Sequence, residues 1–221
     1  MDACKRRTWR KWISGMALLA LGTVVAGGCA RLPYTTKTLH EDPRVRVIAQ
    51  RELEPAGYSH PAQLSPADIA SILRGFSIRE SQRLPLRWFA EELPPKPLFR
   101  SDEIAVLAPV LAEALSKVGP DERVHFEVIA PGMNPAVRND VVAGWVAVRD
   151  PYLFIMPEYF HVQVPNHITS DPYYRNDPSI PPLAKDYLLY FEPGRFWVTG
   201  EKDHRALEYR QFLKAAPTIS R

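Results

Sequence analysis

Apolar residues recur at helical spacing in two segments, and each segment has residues typical of a helix start and stop. The first segment runs from Ser65-Pro66 to Gly75, and the second runs from Ser101 to Gly119. Pro109 lies inside the second segment and predicts a kink. The expected core positions are Ile69, Ile72 and Leu73 in the first helix, and Ile104, Leu107, Leu111, Leu115 and Val118 in the second.

Alternating apolar and polar residues predict strands between and after these helices. Arg123–Ile129 alternates, which puts Val124, Phe126 and Val128 on one face. Val141–Val148 is more continuously apolar, and its Gly144 indicates a bulge or a close crossing. Further strands are predicted at Phe76–Glu80, Leu84–Phe89 and Tyr152–Met156.

The C-terminal part predicts a hairpin and a helix. Tyr187–Phe191 and Arg195–Thr199 flank Pro193-Gly194, a pair that fits the centre of a turn. Asp203–Ala215 has the pattern of an amphipathic helix, with Leu207, Phe212 and Leu213 as core contacts. This order of elements predicts the α+β class, an antiparallel sheet with helices packed on one face.

The N-terminal segment has the pattern of an export signal. Five basic residues among the first twelve precede an uncharged run, Ile13–Gly28, that ends in small residues. This run is short for a membrane span, although an uncleaved N-terminal anchor is the alternative.

Ala26-Gly27-Gly28-Cys29 resembles the lipobox of bacterial lipoproteins, in which small residues precede a cysteine. The resemblance implies that Cys29 receives acyl chains and that the chain is cut before it. Ala30 in the next position implies sorting to the outer membrane of a Gram-negative envelope. We therefore expect a signal peptide at 1–28, a lipidated N-terminus and tether at 29–62, and a single α+β periplasmic domain at 63–221. Within the tether, the alternating residues Arg44–Ile48 could form an edge strand.

Charge and cysteine content narrow the possible functions. Residues 1–28 hold five of the 28 basic and one of the 25 acidic residues, so the rest of the chain has 23 bases and 24 acids. That balance argues against nucleic-acid binding, which needs a basic face. Cys4 belongs to the predicted signal and Cys29 is the lipid site, so we expect no disulfide in the domain.

The sequence offers few candidate residues for metal binding or catalysis. His161, His167 and Asp171, with Glu158 three residues before His161, are residue types that bind zinc. However, an extended segment would put Glu158 and His161 on opposite faces, so we expect hydrogen-bonded histidines and no metal. Catalytic nucleophile motifs and glycine-rich phosphate loops are also not found, so neither a catalytic site nor a cofactor is expected.

Exposed aromatic residues are the remaining candidates for binding. Tyr159, Phe160, Tyr173 and Tyr174 lie in or beside a predicted proline-rich loop from Pro157 to Pro182. They either contact a partner, as interface aromatics do, or pack the loop onto the sheet. The sequence favours a non-enzymatic protein, held to the membrane by acyl chains on Cys29, that binds another envelope protein or a glycan. The alternative is an envelope hydrolase acting on cell-wall or carbohydrate material.

Overall fold

The structure, a computed structural model, describes residues 36–80, 94–166, 187–199 and 205–215. All of these residues belong to one compact unit, Thr36–Arg221. The strands within them are β1 (Thr36–Glu41), β2 (Val45–Arg51), β3 (Phe76–Glu80), β4 (Lys96–Pro97), β5 (Glu122–Pro131), β6 (Arg138–Arg149), β7 (Tyr152–Pro165), β8 (Tyr187–Phe191), β9 (Trp197–Thr199) and β10 (Arg205–Glu208). The helices are α1 (Pro66–Gly75), α2 (Ser101–Leu115) and α3 (Tyr209–Ala215).

The strands form two antiparallel sheets, which confirms the α+β class. The large sheet has seven strands in the order β1-β2-β5-β6-β7-β10-β9. A small sheet has three strands in the order β4-β3-β8. Because consecutive strands β5, β6 and β7 are neighbours with long registers, they form a meander at the centre of the large sheet.

One apolar core joins the helices to the large sheet. α2 packs against β1, β2 and β5, and α1 packs on α2. The predicted inward positions of β5 are confirmed, since Val124, Phe126 and Val128 are all buried. Burial of these alternate side chains is the main favourable contribution to folding. A smaller cluster on β5, β6 and β7 contains Ile129, Val141, Ala143 and Val164.

The predicted starts of both long helices are confirmed. Ser65 caps α1, and its side chain and that of Asp68 form a reciprocal capping box. In α2 the N-cap is Arg100, whose backbone N–H donates to Glu103 Oε2 at 2.7 Å. α2 ends at Leu115, earlier than the predicted Gly119, although Val118 is still buried. None of the helices within the described ranges is long and apolar enough to cross a membrane.

The predicted irregularity at Gly144 is present. The β6–β7 register shifts between Val141 and Ala143 and again between Ala143 and Gly144. A Cβ atom on Gly144 would lie 2.5 Å from the carbonyl oxygen of Met156. Glycine is required here because β7 passes too close for any side chain.

Residues 36–62 of the segment predicted as a tether belong to the same compact unit as the other described residues. β1 and β2 pair with each other, and β2 also pairs with β5 along its whole length. The connection after β2 is also fixed to the domain by backbone hydrogen bonds. Tyr58 N–H donates to the carbonyl of Pro120, and Ala62 N–H donates to the carbonyl of Leu115. Pairing over such sequence separations supplies backbone partners that local composition does not reveal. The predicted signal peptide and Cys29 lie outside the described residues.

Two C-terminal predictions are also corrected. Tyr187–Phe191 and the strand after Pro193-Gly194 do not form a hairpin, since β8 pairs with β3 in the small sheet and β9 with β10 in the large one. A 3₁₀ turn over Gly194–Phe196 separates them and buries Phe196. The predicted helix Asp203–Ala215 is helical only from Tyr209, because β10 fills the place between β7 and β9.

The predicted loop from Pro157 to Pro182 is strand in its first part. β7 continues to Pro165 and remains paired with β6, since Arg138 lies opposite Pro165. Two register shifts absorb the extra residues, which is how bulges let a strand continue through an irregular sequence. The rest of this loop from 167 on, and the predicted strand Leu84–Phe89, lie outside the described residues.

Candidate functional site

A cleft with a volume of about 740 Å³ lies where β6 and β7 face β8, β9 and β10. Its size is typical of a site for a small ligand. We call it the aromatic cleft, because six of its lining residues have aromatic rings: Tyr58, Trp145, Phe154, Tyr187, Tyr190 and Trp197. The other described lining residues are the arginines Arg123, Arg149 and Arg205 and the apolar residues Val146, Ala147, Ile155, Met156, Pro157, Leu188 and Leu189.

The position of the aromatic cleft follows from the strand pairing. β10 pairs with β7 only at Leu153 and Tyr152 among the described residues. The next residues of β7, Phe154 to Pro157, line the aromatic cleft instead. Register places Met156 opposite Trp145 and Phe154 opposite Ala147, so β6 and β7 contribute matching pairs to the same wall.

Two apolar residues in the aromatic cleft are unusually exposed. Met156 is 53% exposed and Leu188 is 46% exposed. Exposed apolar side chains that lie among aromatic residues are typical of binding surfaces, whereas isolated ones are common on any protein. These two side chains therefore identify an apolar floor that a ligand can cover.

The arginines differ in how they are held. The Arg123 guanidinium lies 3.9 Å from the centre of the Trp145 ring and 3.3 Å from Glu52 Oε1, so its charge is partly balanced. Arg149 donates to the carbonyl of Ala56 at 2.6 Å and lies 5.9 Å from the Tyr58 ring. Arg205 is exposed at the start of β10. The positive charge is thus held on rigid strands around an apolar surface.

A polar network behind Trp145 fixes its ring. Trp145 Nε1 donates to Glu158 Oε1 at 2.5 Å, and His125 Nε2 lies 3.0 Å from Glu158 Oε2. Burial raises the pKa of Glu158, but the hydrogen bonds from His125 and Trp145 outweigh it, so the net pKa is lowered. Glu158 therefore carries its negative charge at neutral pH and acts to orient the tryptophan.

A second polar cluster lies at the start of α2, away from the aromatic cleft. Asp140 and Glu103 are 3% and 1% exposed. Asp140 Oδ2 accepts from Arg100 Nη2 at 2.6 Å and lies 3.1 Å from His161 Nδ1. Glu103 Oε1 and Asp140 Oδ1 are buried without hydrogen bonds. The cluster joins α2 to β6 and β7, and Arg100 balances part of its negative charge.

The metal candidates are not brought together. Glu158 contacts His125 and Trp145, whereas His161 contacts Asp140 and lies 3.8 Å from Glu103 Oε1. The two side chains thus belong to different networks on opposite faces of β7, as the extended pattern predicts. His167 and Asp171 lie outside the described residues, within which no group of three potential ligands forms a metal site.

Two of the four aromatic residues that the sequence offers for binding lie on β7, and the other two lie outside the described residues. Phe160 is half-buried against the main core and makes an edge contact with Tyr187, with ring centres 6.4 Å apart. Tyr159 packs against the smaller cluster around Val141. Neither residue lines the aromatic cleft, and their role in binding stays a prediction. Tyr173, Tyr174 and the lipidation candidate Cys29 lie outside the described residues.

The sequence did not identify the aromatic cleft, because its residues come from several separated strands. The available indication was that Trp145, a large aromatic residue, lies opposite His125 on the face of β5 and β6 that points away from the core. Comparisons with protein-family models, with curated proteins and with solved structures find no match.

Proposed function

We propose that this protein is a lipid-anchored envelope protein that binds another envelope component in the aromatic cleft. The lipobox-like Ala26-Gly27-Gly28-Cys29 supports the anchor, and Ala30 supports the outer membrane facing the periplasm. Acylation at a single cysteine with two or three chains is sufficient for stable attachment.

The observation that carries the binding role is the lining of the aromatic cleft. Aromatic residues, methionine and arginine are the types enriched at recognition surfaces. A hydrolase, the alternative function, would need a carboxylate or imidazole at the concave site. The described residues that line the aromatic cleft include neither. The aromatic rings, Met156 and the arginines of the lining are what supports the binding role.

Site-directed photo-crosslinking in intact cells tests this proposal. A photoreactive amino acid replaces Leu188 in the aromatic cleft or, as a control, Met133, which is 89% exposed in the β5–β6 connection. We expect an adduct with an envelope molecule in the membrane fraction from position 188 and none from position 133. Equal adducts from both positions, or recovery of the protein outside the membrane fraction, would contradict the proposal.

A further inference from the structure

We propose that the aromatic cleft binds a single-chain fatty carboxylate, with the acyl chain along its apolar floor and the carboxylate toward its arginines. This inference rests on the proposed function, because it names the ligand of the same site. Its volume of about 740 Å³ suits one small ligand better than a protein surface.

The hydrogen-bonding groups that line the aromatic cleft favour a ligand that accepts hydrogen bonds. Arginine and tryptophan side chains only donate hydrogen bonds, and tyrosine is the only other polar type among the described lining residues. That lining includes no aspartate, glutamate, asparagine, glutamine or histidine. A glycan has many hydroxyl donors, and among these side chains only the tyrosine oxygens could accept from them. A carboxylate accepts hydrogen bonds without donating any, so it matches the lining.

The charged side chains at the aromatic cleft favour the same ligand. Glu52 partly balances Arg123 at one end of the aromatic cleft, and Glu158 is engaged by Trp145 and His125. Arg149 and Arg205 also line the cleft, and Arg205 is exposed on β10. Guanidinium groups bind carboxylates in the plane of both groups, which gives orientation as well as attraction. The charged end of the ligand therefore belongs against the arginines, among which Arg205 is the exposed one.

The apolar floor accounts for the rest of the ligand. Met156 and Leu188 are about half exposed, and most of the other described lining residues are aromatic or aliphatic. A flexible methionine adapts to a chain of variable shape. Covering such side chains with an acyl chain removes apolar surface from water on both partners.

A calorimetric titration with fatty acids of increasing length tests the inference. The purified full chain is titrated with octanoate, decanoate and dodecanoate below their micelle-forming concentrations, and with 1-decanol as the neutral counterpart. We expect affinity to rise by up to about fourfold for each added methylene. Decanoate should bind roughly tenfold more tightly than 1-decanol, because only decanoate presents a charge to the arginines.

Variants assign the binding to the aromatic cleft. The double substitution Met156→Glu with Leu188→Glu, and separately Arg205→Glu, should each weaken decanoate binding by about tenfold or more. Arg205→Lys keeps the charge and should restore most of the affinity. Met133→Ser, an exposed change in the β5–β6 connection, should leave binding unchanged. The N-terminal segment is identical in all variants, so its own contribution is constant.

Three results would overturn the inference. The first is no saturable binding of any fatty acid, and the second is equal binding by all variants, which would assign it to the N-terminal segment. The third comes from a parallel titration with a lysophospholipid. If the lysophospholipid binds more tightly than dodecanoate, the ligand is a lipid recognised by its headgroup. A crosslink at position 188 combined with any of them would overturn the fatty-carboxylate inference while the proposed binding function stands.

Discussion

His60 shows how a single residue in an apparently unstructured segment can hold two strands together. It is 6% exposed, and its Nε2 accepts the backbone N–H of Val148 at 3.0 Å. Since Nε2 is an acceptor, Nδ1 carries the hydrogen and donates to the carbonyl of Glu122, at 2.7 Å. The neutral imidazole thus bridges the start of β5 and the end of β6. The sequence does not reveal this, because Ser59-His60 has the composition of a linker.

The protonation of His60 predicts a pH-dependent stability. Burial lowers the pKa of His60 below its ordinary value of 6.5, although hydrogen bonds to backbone carbonyls oppose the shift. The unfolded chain therefore binds this proton more readily than the folded one. The contribution of His60 to stability is complete above about pH 6.5 and is lost as the pH falls toward the lower folded pKa. We expect the free energy of unfolding to decrease between pH 7.5 and pH 5.5.

The control is His60→Asn, whose amide offers a donor and an acceptor but does not titrate. It should be less stable than the parent by about 1–3 kcal/mol at pH 7.5, since its reach differs from that of the ring. Its stability should change less between the two pH values. Denaturant unfolding of both proteins at each pH measures the difference. An equal pH dependence in parent and variant would show that other groups cause it.

At the scale of elements, the sequence predicted those features of helices and strands that depend on residues close together in the chain. The caps of α1, the alternation of β5 and the irregularity at Gly144 are each encoded within a few residues, and each prediction is confirmed. The errors concern the second half of β7 and the β8–β9 pair. Their state depends on partners distant in sequence, since β8 pairs with β3 more than 100 residues earlier. A turn motif such as Pro193-Gly194 does not specify which sheet receives the next strand.

The close crossing of β6 and β7 predicts that Gly144→Ala destabilises the fold. The new Cβ would lie 2.5 Å from the Met156 carbonyl oxygen and 2.9 Å from Pro157 Cα. Both atoms are backbone in a paired strand, so relief requires the strands to separate. We expect a loss of about 1–3 kcal/mol in the free energy of unfolding, as for overpacked cores. Denaturant unfolding monitored by circular dichroism measures it.

Gly194→Ala is the matched control for this crossing. A Cβ on Gly194 meets no atom within 4 Å, so the same chemical change should stay within about 0.5 kcal/mol of the parent. A loss at position 194 as large as at position 144 would indicate that glycine flexibility, and not the crossing, determines stability. Wild-type stability in Gly144→Ala would contradict the close approach itself.

At the scale of the whole molecule, the proposed lipid site Cys29 lies nearer in sequence to the folded domain than the composition predicts. Thr36, seven positions after Cys29, already belongs to the large sheet. The aromatic cleft is likewise a property of the whole fold, because the connection after β2 and the six strands from β5 to β10 all contribute to it. Hydrophobic periodicity identifies residues that face the core. It does not identify residues that converge on one cleft from separate strands.

The anchor gives the last prediction, in which the two cysteines of the chain serve as test and control. Cys29 follows Ala26-Gly27-Gly28 and is the residue that the lipobox resemblance modifies, whereas Cys4 lies in the basic segment before the apolar run. Cys29→Ser should abolish incorporation of a labelled fatty acid in growing cells and move the protein out of the membrane fraction or leave its signal uncut. Cys4→Ser should keep full labelling, because its thiol is not needed for anchoring. Label retained in Cys29→Ser, or lost in Cys4→Ser, would contradict the lipoprotein assignment. The same Cys29→Ser protein should still bind decanoate, since every described lining residue of the aromatic cleft comes after Thr36. The anchor and the ligand can therefore fail or succeed independently.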